Sequence, residues 1–223
     1  MERPIITIPR GFLKNLNMSW DIDWRGQSAG EQTGGGTQVV YNAFPRWIGS
    51  PEIALYREEI REWRAIRAQA RGRTGIYVVE MCDPVGFAQA NPYPDGIPFS
   101  NGQPFSTGYG WQYEPMFYGV GFNKIGAETI RVNVAGMGIA PVAGQIMSHD
   151  DWPFVVTTVA EVSTGIYDLG IEMPLRAPIR SGDPILLKPR GRFEVLEDTT
   201  GNPAYGASRY SQVQLEFREV LTR

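Results

Sequence analysis

The sequence predicts a mainly β fold carrying one long α-helix. Three observations lead there. Apolar and polar residues alternate with period two in several short runs, the pattern of half-buried strands. The 26 glycines and 17 prolines among 223 residues are spread along the chain, so the elements are short and joined by turns. One stretch, residues 51–71, instead places its apolar residues at helical spacing.

Residues 3–8 (RPIITI) read as a short edge strand bounded by Pro4 and Pro9. Residues 26–37 (GQSAGEQTGGGT) supply no core residue and read as a flexible loop. Their GGGT run lacks the GK[ST] partner of a phosphate-binding loop. Residues 38–47 (QVVYNAFPRW) read as a strand ending at a turn.

The helix follows. Ser50 suits the N-cap, Pro51 the first helical position, and Glu52 the positive end of the dipole. Ile53, Tyr56, Ile60, Trp63 and Arg67 form the stripe that would lie on a sheet, with Leu55 and Ile66 flanking it. The opposite face carries Arg57, Glu58, Glu59, Arg61, Glu62 and Arg64, where Glu58 and Arg61 are spaced to pair. Arg67 and Arg71 complement the C-terminal dipole and Gly72 stops the helix.

Residues 74–81 (TGIYVVEM) read as a buried strand closed by Asp83 and Pro84. The turn-rich segment 85–111 holds a tandem hexapeptide, IPFSNG at 97–102 and QPFSTG at 103–108, read as a local loop or hairpin motif. Strand patterns return at 129–134, 154–162, 165–173 and 184–188, punctuated by glycines. The last, 210–221, sets Val213, Leu215, Phe217 and Leu221 against Gln212, Gln214, Glu216 and Arg218, as in an antiparallel sheet with one wet face.

Composition narrows the function. Charged residues are 20% and hydrophobic residues 42%, ordinary for a globular protein. A net charge of −3 argues against an extended nucleic-acid footprint. The single cysteine, Cys82, excludes an internal disulfide framework and fits folding in a reducing cytoplasm. The N-terminal residues MERPIITIPRGF lack the apolar region of a signal peptide, and no apolar run reaches bilayer-spanning length, so no membrane partner is expected.

No catalytic constellation emerges, and the expectation is a non-enzymatic protein with no cofactor or metal. His149 is the only histidine, and a tetrahedral zinc site needs more His or Cys ligands than the chain has. The run Ser148-His149-Asp150-Asp151-Trp152 reads better as a polar turn, and Cys82 as a small buried residue rather than a nucleophile. Trp111, Tyr113, Phe117 and Tyr118 form a candidate sugar-stacking platform, against which stand core packing and subunit contact. A carbohydrate-binding module for host attachment is therefore the alternative from another class.

Several segments, taken in order, resemble one family. They are Pro45-Arg46-Trp47, then Glu59-Ile60-Arg61-Glu62-Trp63-Arg64-Ala65, Ala70-Arg71-Gly72-Arg73 and Met81-Cys82-Asp83-Pro84. The tandem hexapeptide, Gly165-Ile166-Tyr167, Met173-Pro174-Leu175-Arg176, Arg180-Ser181-Gly182-Asp183 and Val213-Gln214-Leu215-Glu216-Phe217 continue the order. Together they are similar to the distal tail proteins of long-tailed (siphovirus-type) bacteriophages and related gene transfer agents. Each motif is weak alone; the order and spacing carry the resemblance.

The resemblance implies a virion tail protein assembled in the host cytoplasm, six copies forming a ring that joins the tail tube to the baseplate hub. DNA would pass through the lumen without specific binding. It implies a split β-barrel ring-forming domain, residues 1–84 with 186–223, and an inserted β-barrel or sandwich domain, 85–185. A terminator or minor tail protein is the nearest competing role. Arg46, Trp47, Arg57, Arg61, Arg64, Trp111 and Arg176 are the candidate interface residues, since arginine and aromatic side chains anchor protein contacts.

Overall fold

A computed structural model of the protein describes residues 2–9, 12, 19–31, 34–40, 42, 44–81, 96–111, 114–134, 137 and 139–222. Cys82, Asp83, Pro84 and Tyr113 lie outside the described residues. The fold is mainly β with one α-helix among them. The chain divides into two compact units, Met1–Glu80 with Gly191–Arg223, and Met81–Arg190.

The first unit begins with β1 (Ile5–Thr7), β2 (Trp20–Asp23), β3 (Gln27–Glu31), β4 (Thr37–Val40), β5 (Arg46–Gly49) and β6 (Glu52–Tyr56). The helix α1 (Glu58–Ala70), a short 3-10 turn (Gly72–Thr74) and β7 (Ile76–Glu80) follow. The second unit holds β8 (Met116–Gly119), β9 (Phe122–Asn123), β10 (Thr129–Asn133), β11 (Ile146–His149), β12 (Trp152–Ser163), β13 (Ile166–Glu172), β14 (Ile179–Arg180) and β15 (Pro184–Leu186). The chain then returns to the first unit through β16 (Arg190–Val195), β17 (Tyr210–Gln214) and β18 (Phe217–Glu219).

Six strands of the first unit form one sheet in the order β1-β7-β16-β18-β5-β2, with β1 on the edge, parallel to β7. Trp20 crosses Gly49 in register, and a Cβ at Gly49 would collide with the indole ring, so only glycine fits there. The same ring packs 4.8 Å from Phe193, which lies 6.0 Å from Phe217, so an aromatic row ties β2, β16 and β18 together.

The helix is the main correction to the sequence reading. Residues 52–56 are strand, paired antiparallel with β17 from Tyr210↔Tyr56 to Gln214↔Glu52. Over so short a stretch Ile53 has helical spacing with Tyr56 and strand spacing with Leu55. Ile53 and Leu55 are fully buried with period-two spacing, whereas Tyr56 is 54% exposed and lies outside the stripe assigned to it. Pairing decides between the patterns: β6 satisfies the ladder of β17, and the Pro51 carbonyl accepts a bond from the Leu215 amide. The helix therefore starts at Glu58, not after Ser50, and has no side-chain cap at Arg57. The Glu59 carboxylate reaches back to accept the Tyr56 amide instead. Its buried side is Ile60, Trp63, Ile66 and Ala70. Arg71 adopts the left-handed conformation at the C-terminal end, one residue before the predicted stop at Gly72.

Two further readings change. Residues 26–37 are not a loop throughout: β3 and β4 pair as an exposed ribbon. The run 210–221 alternates as far as Glu219, after which Val220 rather than Leu221 is buried, and it serves two sheets, because β17 pairs with β6 and β18 pairs with β16 and β5. Likewise 38–47 spans parts of two strands, β4 and β5, rather than one.

The second unit contains a closed antiparallel barrel, β10-β13-β12-β11-β15-β8, with β8 pairing back to β10. Phe117, Ile130, Val132, Met147, Phe154, Leu169 and Ile185 are buried within this unit, and the predicted alternation of Ile130, Val132 and Val134 holds. Asp150 and Asp151, both at positive φ, form the two-residue turn between β11 and β12. The tandem hexapeptide is a repeated turn. In each copy the glycine amide, Gly102 or Gly108, donates to the carbonyl of the phenylalanine three residues before it. Both glycines sit at positive φ. Phe99 and Phe105 pack 4.9 Å apart and edge-on to Trp111, a small core of their own.

Glu194 on β16 links the N-terminal segment to the C-terminal strand. It accepts from Arg3 and from Arg218, each at 2.7 Å. Burial pushes its carboxyl up, but the bonds from the two guanidinium groups outweigh it and hold the pKa below the ordinary 4.5. A carboxyl with a lowered folded pKa contributes stability above its unfolded value and loses it as pH falls through the folded one. Urea denaturation should show the wild type losing stability as pH drops below about 4.5, with that part of the slope absent in Glu194→Gln.

Candidate interaction surface

The candidate residues fall in different surroundings. Trp47 is 3% exposed, a core residue of β5, so its ring offers nothing to a partner. Its neighbour Arg46 is spent on a cross-strand ion pair with Asp23 at 3.2 Å. In the second unit, the Arg176 guanidinium stacks 5.1 Å over the Trp152 ring, and Trp111 is exposed but packed against Phe99 and Phe105. The sugar-stacking platform is not assembled. Phe117 is fully buried, while Tyr118, its neighbour on β8, is exposed on the opposite face.

Arg57, Arg61 and Arg64 share one neighbourhood of the first unit. Arg57 lies between β6 and α1, and its amide donates to the Arg209 carbonyl at 2.9 Å. That bond closes the end of the β6–β17 ribbon and sets the two arginines side by side in the chain trace. Arg61 stands on the first turns of α1, paired as predicted with Glu58 at 3.6 Å, both side chains about 80% exposed. So exposed a pair adds little to stability. Arg57, Glu58, Arg61 and Arg209 together line an open groove. Beside it the rings of Tyr56 and Tyr210 pack 4.9 Å apart, both exposed. Arg64, farther along the helix, lies 5.2 Å over the Tyr205 ring.

Arg209, Tyr210 and the exposed placement of Tyr56 were not singled out from the sequence. The signal that identifies them, the register Tyr210↔Tyr56, joins residues 154 positions apart and leaves no local trace. The patch concentrates arginine and tyrosine, the side chains that most often anchor protein contacts. It supplies three guanidinium groups against one carboxylate, donors suited to carboxylates on a partner.

Other places offer less chemistry. Among the described residues, no three His, Cys, Asp or Glu side chains form a group able to hold a metal ion. His149 Nδ1 lies 2.9 Å from the Pro184 carbonyl, which can only accept, so the proton sits on Nδ1 and the ring is tied to the main chain. The cleft around His149, Trp152 and Arg176 holds about 10 Å³, too little for more than a water. Among the described residues, no helix is long and apolar enough to cross a membrane.

No protein-family model matches the chain, and no curated protein matches it.

Backbone strain supplies a test of the patch. Arg57 sits at φ 40° with ψ −95°, and Arg209 at φ 52°, where side chains with a Cβ are disfavoured. Such residues cost on the order of 1–3 kcal/mol and gather at functional positions. Arg57→Gly relieves that strain, so chemical denaturation should show equal or greater stability, by up to about 1 kcal/mol. A loss of more than that would show that the Arg57 side chain holds the fold together.

Proposed function

We propose that this chain is a structural virion protein, a hexameric ring adaptor joining the tail tube of a long-tailed phage to its baseplate hub. What supports the reading is the ordered series of motifs, from Pro45-Arg46-Trp47 to Val213-Gln214-Leu215-Glu216-Phe217, that resembles the distal tail proteins. On this reading the first unit is the ring-forming split barrel and the second the inserted domain. A ring of identical copies needs one surface that engages a different surface of the next copy. The exposed arginine and tyrosine patch around α1 supports such a role. The mildly acidic composition supports it too, since a basic lumen would hold DNA by phosphate attraction. The reading assigns no catalytic step to the protein.

The test is reconstitution. Purified protein, mixed with the tail-tube and hub proteins of the same virion, should give six-fold rings in negative stain and a matching mass by light scattering. A species that stays monomeric at high concentration, with no association with either protein, would remove the ring reading.

A further inference from the structure

Two open grooves on the first unit carry opposite charge and lie toward opposite ends of β17. At the Tyr210 end, a groove of about 330 Å³ is lined by Arg57, Glu58, Arg61 and Arg209. Toward the Gln214 end, a groove of about 360 Å³ is lined by Glu197 and Glu216 with Thr199, Thr200, Gln212 and Gln214, and by no lysine or arginine. Arg67 reaches the rim of this second groove, donating to Asn202 at 3.3 Å. Among the described residues, Arg57, Arg209, Glu197 and Glu216 make no ion pair.

We infer that the arginine groove of one copy receives Glu197 and Glu216 of a second copy. This deepens the ring reading by naming the contact, and it rests on that reading for the claim that copies meet. Within one chain Arg209 and Glu216 are too far apart to pair: they stand seven steps apart, roughly 23 Å at strand rise, well beyond the reach of one arginine side chain. Charge argues for a second copy. The chain is net acidic, so a cationic patch on one copy is attracted to an anionic patch on another against a weak overall repulsion. The two grooves are similar in size and opposite in sign. Tyr56 and Tyr210, flanking the arginines, supply aromatic anchors to exclude water around the charge pairs.

Because the two grooves are different surfaces, the contact is heterologous. Each bound copy leaves one groove of each kind open, and addition continues until the assembly closes. The strained backbone at Arg57 and Arg209 fits this role, since both turns hold a guanidinium where glycine would be less strained.

The experiment is sedimentation velocity on the full chain with the tail-tube and hub proteins present, at low and high salt. The forms compared are the wild type, Arg61→Glu with Arg209→Glu, Glu197→Arg with Glu216→Arg, and an equimolar mixture of the two variants. All four substituted positions are exposed, and a thermal melt of each variant checks that it folds. The wild type should associate more weakly at high salt. Each variant alone should lose about tenfold or more in association, since like charges then face each other. The mixture should recover it, because each reversed groove meets its complement on the other chain. Arg57→Gly, which relieves strain in the fold, should weaken association as well. If the wild type associates and both variants associate equally well, this contact is wrong while the ring reading stands. If the wild type never associates, both fall.

Discussion

Trp63 holds the first unit together from inside. Its ring is 1% exposed, and its indole N–H donates to the Gly201 carbonyl at 2.8 Å. A buried indole without a partner for that N–H would be costly, so the bond fixes where the 197–202 loop lies against α1. Gly201 is at φ 75°, and a Cβ there would strike Leu215 and crowd Trp63, so the loop can approach this closely only as glycine. Around the same contact, Arg67 donates to Asn202 and to the Asp198 carbonyl, and Asp198 accepts the Arg73 amide. The helix is thus joined along its length to the segment that leads into β17. Where β17 is held, β6 is held, and the ribbon's end sets Arg57, Arg209, Tyr56 and Tyr210 on the surface. The patch depends on a core contact none of its members makes.

Much of this unit was legible in the sequence, and the rest failed for identifiable reasons. On α1 the predicted stripe is right at Ile60 and Trp63, while Ile66, placed beside it, is buried and Arg67, placed in it, is only half-buried. The start was misplaced because Ile53 fits a helical stripe with Tyr56 as well as a strand face with Leu55, and because Ser50 and Pro51 form a good start signal that tertiary pairing overrides. The alternation read over 210–221 holds through Val213, Leu215 and Phe217 and fails at Leu221, and a period of two cannot reveal that one run feeds two sheets. In the second unit the strand runs and the Asp150-Asp151 turn follow from local patterns, and the closure of the barrel does not. The interface candidates divide in the same way. Arg61 and Arg64 on the outer helix face could be read from spacing, whereas the burial of Trp47 and the meeting of Tyr56 with Tyr210 come from strand pairing across the chain.

The surface argument combines placement and charge. An acidic chain that gathers three arginines around two packed tyrosines, two of the arginines on strained backbone, has placed donors where folding alone does not require them. The fold supplies acceptors at the far end of the same strand. Arg209 and Glu216, which flank β17 on either side, are held too far apart by the strand to neutralise each other.

The account stands or falls on whether Trp63 makes α1, the 197–202 loop and the β6–β17 ribbon one cooperative unit. Native-state hydrogen exchange on Trp63→Phe, which keeps an aromatic ring and removes the bond to Gly201, measures this directly. The account predicts that slow amides of α1, β6 and β17 lose protection together, by a common amount of about 1–3 kcal/mol, the cost of an unpaired buried carbonyl. Loss confined to α1, with the β6 and β17 amides as protected as in the wild type, would contradict it.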